Sequence, residues 1–171
     1  IPVAPLVEAS PEYTRPYKET LPPPILLAET ILESDDIIHT LFKILGSPDM
    51  CSRRWIWEQY DHTVMADTIQ NPGGDAAIIR IHGTSQGLAL TTDCTPRYCQ
   101  LHPETGGQQA VAEAWRNLTA VGATPIALTN NLNFGNPERP EIMGQFVGCV
   151  KGIRSAANAL EFPVVSGNVS L

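Results

Sequence analysis

The sequence predicts an α+β fold, a mixed β-sheet covered on one face by helices, and three observations predict it. Two short runs rich in aliphatic residues, Ala76 to His82 and Leu88 to Asp93, flank a glycine-bounded turn from Gly83 to Gly87 that can close a hairpin. Two longer stretches, Gly107 to Val121 and Pro140 to Leu160, carry apolar residues at helical spacing, the second opened by a proline in its first turn. Short strands at Pro125 to Thr129 and Pro163 to Val165 alternate with those helices. The resulting order, ββαβαβ, suits helices layered on a sheet.

Upstream the pattern differs. Residues 1 to 33 are proline-rich (Pro2, Pro5, Pro11, Pro16, Pro22, Pro23 and Pro24) and show neither alternation nor helical periodicity, so they predict a connector. Ser34 offers an N-cap, with Asp35 and Asp36 complementing the helix dipole. Ile37, Ile38, Leu41, Phe42 and Leu45 then share one face until Gly46 and Pro48 stop the helix. A second short helix is expected at about Ser52 to Tyr60, and Trp55, Trp57 and Trp115 are expected as core anchors. The domain expectation is a connector over 1–33, a helical linker over 34–61 and a sheet domain over 62–171. The first residue is Ile1 and the last, Leu171, follows a glycine-containing segment, so both ends read as cuts in a longer polypeptide.

Composition excludes several functions. The 171 residues are 43% hydrophobic and carry a formal charge of -7, with eleven Lys and Arg scattered along the chain rather than gathered in one stripe. Nucleic acid is therefore not an expected partner, because phosphate-backbone binding needs concentrated positive charge. No apolar run approaches the roughly 20 residues of a membrane span, and no secretory signal is legible, which predicts a cytoplasmic protein. Cys51, Cys94, Cys99 and Cys149 lack CxxC spacing and read as free thiols; His39, His62, His82 and His102 are isolated, so no metal cluster follows from spacing.

Three places could carry chemistry. Asp93 at a predicted strand end, with Glu113 and Asn117 four apart on a helix, offers hard oxygen ligands of the kind Mg²⁺ takes beside substrate phosphates. By spacing alone, ordinary solvated polar residues are the favoured explanation, because Glu-x-x-x-Asn occurs by chance in many helices. Thr129 to Pro137 (Thr-Asn-Asn-Leu-Asn-Phe-Gly-Asn-Pro) is expected to leave a strand as a loop, where ligand contacts concentrate. Ser166-Gly167-Asn168-Val169-Ser170 is expected as a similar loop, with glycine admitting a phosphate to the backbone and Asn168 and Ser170 supplying side-chain oxygens. Neither a P-loop nor a Rossmann glycine pattern is present, and no nucleophile stands beside a base, so no catalytic residue is assigned.

Trp57-Glu58-Gln59-Tyr60-Asp61, Thr91-Thr92-Asp93-Cys94, Ala110-Val111-Ala112-Glu113-Ala114 with Arg116-Asn117, Asn131 to Glu138, Pro140-Glu141-Ile142 and Ser166 to Leu171 closely resemble the small, separate-subunit form of phosphoribosylformylglycinamidine synthase. The resemblance runs in order from Trp55 to Leu171, and residues 1–54 resemble that family's connector between two halves. It implies the second of two aminoimidazole-ribonucleotide-synthetase-like N-terminal domains. The implied reaction is ATP-dependent phosphorylation of the amide oxygen of formylglycinamide ribonucleotide, then displacement by ammonia from a glutaminase partner assisted by a small third subunit. The family's histidine-bearing catalytic motif lies in the first copy, and here the corresponding stretch, Thr92-Asp93-Cys94-Thr95-Pro96, has no histidine.

Carried over by position, Gly167 and Asn130 resemble ATP contacts, Asn168 a Mg²⁺ ligand and Ser170 a substrate contact, all serving a site completed by the first copy. Asn130 stands where the family has an aspartate, which keeps an oxygen acceptor and loses the charge. Asp93, Glu113 and Asn117 resemble metal-holding positions of a second, non-catalytic nucleotide site. Alone the chain is then expected to be inactive and to pair through its strands with the first copy's sheet, or with a second copy of itself. Two other readings stand beside this one: a non-catalytic pairing module of the same superfamily, and a related selenophosphate- or thiamine-phosphate-type kinase, against which the Asn131-to-Glu138 run argues.

Overall fold

Backbone pairing and close helix contact are achieved separately in two units of this chain, seen in a computed structural model that describes residues 2–31, 33 and 36–171. One unit draws on Ile1–Pro22, Asp93–Trp115 and Pro125–Leu171, the other on Pro23–Thr92 and Arg116–Thr124. The class is α+β, with antiparallel and parallel pairing in two sheets.

In the second unit, β1 (Thr68–Gln70), β2 (Ala77–Arg80) and β3 (Gly87–Leu90) form an antiparallel sheet in the order β1-β2-β3. The predicted hairpin is present, its turn reversing through Gly83 at φ +77°, while β1 had no signal of its own. Pairing Ile79 with Leu88 and Ala77 with Leu90 places Ile79, Ile81, Leu88 and Leu90 on one face, exposed by 39–50%. β3 ends at Leu90, so Asp93 lies beyond the strand that was expected to carry it. Helix α2 (Ile37–Leu45) has the predicted apolar face, but its cap is Asp36, whose carboxylate accepts the His39 amide at 2.9 Å. Ser34 and Asp35, expected to start this helix, lie outside the described residues. Helix α3 (Arg54–Glu58) is shorter than expected, and Trp55 on it is 73% exposed, so it is no core anchor.

The first unit holds its buried residues Val111, Leu132, Cys149, Ala157 and Phe162 among two long helices and a parallel strand pair. Helix α5 (Pro103–Ala120) follows a short helix α4 (Pro96–Leu101) that sequence periodicity missed, because Pro96 opens it after only three residues of connector beyond Thr92. Helix α6 (Pro140–Ala159) carries Gly144, Gly148 and Gly152 one turn apart on one face. A Cβ at Gly152 would stand 2.0 Å from the Glu104 carbonyl oxygen, and one at Gly148 2.7 Å from Pro103, so these positions let the start of α5 lie directly against α6. Gly107 extends the same contact, since a side chain there would meet the Cys149 backbone, and Gly106 does the same against the Cys99 backbone on α4. Helix α6 ends with the Phe162 amide on the Ala157 carbonyl and Glu161 at φ +50°, and α5 ends with the Ala123 amide on the Leu118 carbonyl and Gly122 at φ +81°. Both are left-handed terminations, one of them tolerated without glycine.

The proline-rich segment is more ordered than its composition suggests. Val3–Glu8 is a short helix, α1, and the extended stretch after it lies along α6. There the Lys18 amide donates to the Pro140 carbonyl at 2.9 Å, Lys18 pairs with Glu141 at 2.9 Å and Arg15 with Glu138 at 3.7 Å. Gly144 admits this strap, because a Cβ there would fall 1.7 Å from the Lys18 carbonyl oxygen. Hydrogen bonding from Lys18 holds the Glu141 carboxyl below its ordinary pKa, and the same bond raises that of Lys18. A lowered carboxylate contributes its attraction above the ordinary carboxylate range and loses it as pH falls through the lowered value.

Two predictions follow from this packing. Gly152→Ala should lower the denaturant midpoint, corresponding to about 1–3 kcal/mol of overpacking, while an alanine at exposed Glu161 should not reproduce that loss. In an NMR titration the Lys18 amide should shift away from its bonded position only below the ordinary carboxylate range; an unchanged amide through full acidification would show that the strap is held without Glu141.

Candidate functional site

Parallel strands carry their side chains in matched pairs, and here three of the pairs are polar on both strands: Thr129–Ser166, Asn131–Asn168 and Asn133–Ser170. β4 (Leu128–Asn133) and β5 (Val164–Ser170) pair Thr129 with Ser166, Asn130 with Gly167, Asn131 with Asn168, Leu132 with Val169 and Asn133 with Ser170. Both stretches expected as loops are therefore largely strand: Asn130, Asn131, Asn133, Gly167, Asn168 and Ser170 all sit in the ladder. Asparagine is disfavoured in strands by propensity, but in-register backbone pairing overrides a preference of under about 1 kcal/mol. Only from Phe134 does the chain leave as a loop, with the Phe134 amide on the Ser170 carbonyl at 3.0 Å and its ring edge-on to Phe146 at 5.4 Å.

Alternation separates the assigned residues onto two faces. Asn130 and Gly167 share the face that also bears Leu132, and a Cβ at Gly167 would fall 1.9 Å from the Asn130 amide oxygen. That glycine is what lets the Asn130 side chain lie across β5. On the opposite face Thr129, Asn131, Asn133, Ser166, Asn168 and Ser170 form an exposed double row. Asn168 Nδ2 donates to Ser170 Oγ at 3.0 Å and to Asn131 Oδ1 at 3.3 Å. Asn131 and Asn133 were not singled out as site residues; the period of two in Thr129-x-Asn131-x-Asn133, set beside Ser166-x-Asn168-x-Ser170, was the signal for them. The carboxyl ends of both strands lie at one edge, the edge where parallel sheets present ligands.

Asp93, Glu113 and Asn117 are placed differently. Asp93 lies in the extended connector between β3 and α4; Glu113 is half-buried on α5, with Asn117 one turn further along the same helix. The Glu113 carboxylate lies near enough to Cys94 to help raise its thiol pKa, after desolvation and the Cys99 thiol. Burial likewise pushes the Cys99 and Cys149 thiols up, and Cys149 is only 3% exposed. All four cysteines are free. Among the described residues no three His, Cys, Asp or Glu side chains converge to hold a metal. The ladder offers only neutral oxygen donors, a set that suits a hard cation whose charge is balanced by phosphate rather than by the protein.

An α+β unit with a parallel strand pair that lines up amide and hydroxyl side chains at its carboxyl edge defines the class of protein. The chain belongs to the AIR synthase related family, whose N-terminal domain model matches residues 73–171. It is 61% identical over all 171 residues to the phosphoribosylformylglycinamidine synthase subunit PurL of Azorhizobium caulinodans, and 57% identical to that of Parvibaculum lavamentivorans. In both cases it spans 23% of the relative's length. Among solved structures it resembles PurLQS from Thermotoga maritima, with a TM-score of 0.63 and 35% identity over 71% of this chain and 20% of that one. A second, T. maritima PurL complexed with ADP, gives 0.59 at 35% identity with the same coverage.

Raised thiol pKa values delay the thiolate as pH rises. Cys99 and Cys149 should therefore alkylate slowly at neutral pH and faster only above the ordinary thiol range, with Cys149 last; rapid neutral labelling of Cys149, followed by mass spectrometry, would contradict the burial described.

Proposed function

We propose that this chain is part of the synthetase subunit of phosphoribosylformylglycinamidine synthase, a cytoplasmic ligase of purine biosynthesis. In this reading the ligase converts formylglycinamide ribonucleotide, ATP and glutamine-derived ammonia to formylglycinamidine ribonucleotide. Identity of 61% over all 171 residues, which span 23% of a subunit of that name, supports the reading, and four free thiols suit a reducing compartment. The observation that carries it is the paired ladder, in which Asn130 and Gly167 lie side by side on one face of two parallel strands and Asn168 and Ser170 on the other.

Asn130 and the Gly167 backbone contact ATP, with glycine leaving room for both the asparagine amide and a phosphate. The Asn168 side-chain oxygen is one ligand of Mg²⁺, and the Ser170 hydroxyl holds the ribonucleotide. A magnesium ion bound there with nucleotide would neutralise phosphate charge, and it ordinarily takes only one or two protein ligands. Asp93, Glu113 and Asn117 hold metal at a second, non-catalytic nucleotide site.

The rest of the active site comes from the remainder of the polypeptide: a first synthetase-like copy and the C-terminal domains, served by a glutaminase subunit and a small third subunit. Phosphoryl transfer needs groups preorganised around the whole transferred group, so these 171 residues alone catalyse nothing. In this reading the sequence divides into a connector 1–33, a helical linker 34–61 and a sheet domain 62–171, a division by role that differs from the two compact units of the fold. A pairing role is favoured by a specific feature, the exposed face of Ile79, Ile81, Leu88 and Leu90. That face packs against the first copy in the whole enzyme and against a second copy when the chain is alone.

In the complete enzyme, Asn168→Ala should raise the Mg²⁺ requirement. Ser170→Ala should raise the KM for the ribonucleotide about tenfold or more, as expected for a lost hydrogen bond to a charged group. Wild-type kinetics in both variants would remove the assignment, and substrate-dependent ATP hydrolysis by the 171-residue chain would remove its incompleteness. Sedimentation of that chain should show concentration-dependent dimers, abolished by Leu88→Lys.

A further inference from the structure

We propose that Asn131 is a positioning residue: it fixes which end of the Asn168 amide faces the cation. The inference rests on the reading above, in which Asn168 supplies a metal oxygen. A primary amide offers two N–H donors at one end and two lone pairs at the other, and only the second can ligate a cation. Asn168 Nδ2 spends its donors on Asn131 Oδ1 at 3.3 Å and Ser170 Oγ at 3.0 Å. The side-chain oxygen of Asn168 is thereby left without a claim from either neighbour.

Turning the amide over would set the Asn168 oxygen against the Asn131 oxygen, two acceptors facing each other, and would aim N–H groups at the ligand. The register keeps the Cα of Asn131 opposite that of Asn168 on one exposed face, so the Asn131 oxygen, as it is turned here, stays within reach of the Asn168 amide. The same bonds set Ser170. Its oxygen accepts from Asn168, so its own proton is free to be donated to a substrate oxygen. One residue outside the ligand set therefore biases both contacts, as hydrogen-bond partners of metal ligands do elsewhere, typically with tenfold or greater effects on affinity.

The test is Mn²⁺ binding, followed by electron paramagnetic resonance, to the complete synthase saturated with a non-hydrolysable ATP analogue. Asn131→Leu should weaken Mn²⁺ binding by roughly tenfold with an unchanged unfolding midpoint, since the residue is exposed. Asn131→Asp, which can accept but never donate, should keep binding at or above the wild-type level. Wild-type Mn²⁺ affinity in Asn131→Leu would overturn the proposal, and so would equal losses in the leucine and aspartate variants, which would mark a merely structural role. Asn168→Ala is the separate control: if it alone leaves Mn²⁺ binding intact, the metal assignment itself has failed, whereas a loss in Asn168→Ala without one in Asn131→Leu refutes the positioning role only.

Discussion

The parallel register between β4 and β5 is the constraint on which the candidate site depends. Each backbone pair from Thr129–Ser166 to Asn133–Ser170 fixes a side-chain pair, so six polar residues take up two rows without any of them having to pack in the interior. Gly167 in turn leaves the space that the Asn130 amide occupies, and a side chain there would turn that amide aside.

Close packing behind the strands rests on the same device. Glycines one turn apart on α6, and the Gly106-Gly107 step on α5, bring backbones into contact where side chains would otherwise hold the helices apart. The strap from the proline-rich segment uses one further glycine of that row, Gly144, and fastens to the first turn of α6 through Lys18. The buried side chains are correspondingly small or few, with Phe162 the largest fully buried one. Close backbone approach adds dispersion contacts in this unit beside those of its buried apolar side chains.

Other surfaces remain apolar in the single chain. The β2–β3 face and the stripe on α2 have the periodicity of buried surfaces, yet Ile79, Leu88, Ile37 and Phe42 are all exposed. The chain spans 23% of the length of the PurL subunit it matches, and exposed apolar faces of this kind suit association with further polypeptide.

Helical periodicity and turn chemistry made α2, α5, α6 and the β2–β3 hairpin legible in the sequence, because each is decided by residues near one another in the chain. The motif runs likewise marked Asn130, Gly167, Asn168 and Ser170. Local rules misread the last two strands as short and their continuations as loops, since Asn, Gly and Ser have weak strand preference and nothing within either segment announces the other. They missed β1, which is only three residues long, and α4, a single short helix opened by Pro96, while the ordered strap is held by Pro140 and Glu141, partners distant in sequence. Sequence by itself determined which residue types stand at the site and that they alternate. Tertiary structure alone decided that Asn131 meets Asn168 and that Asn130 lies over Gly167, because a pairing across 37 positions is set by backbone hydrogen bonds and steric room, neither of which a linear pattern carries.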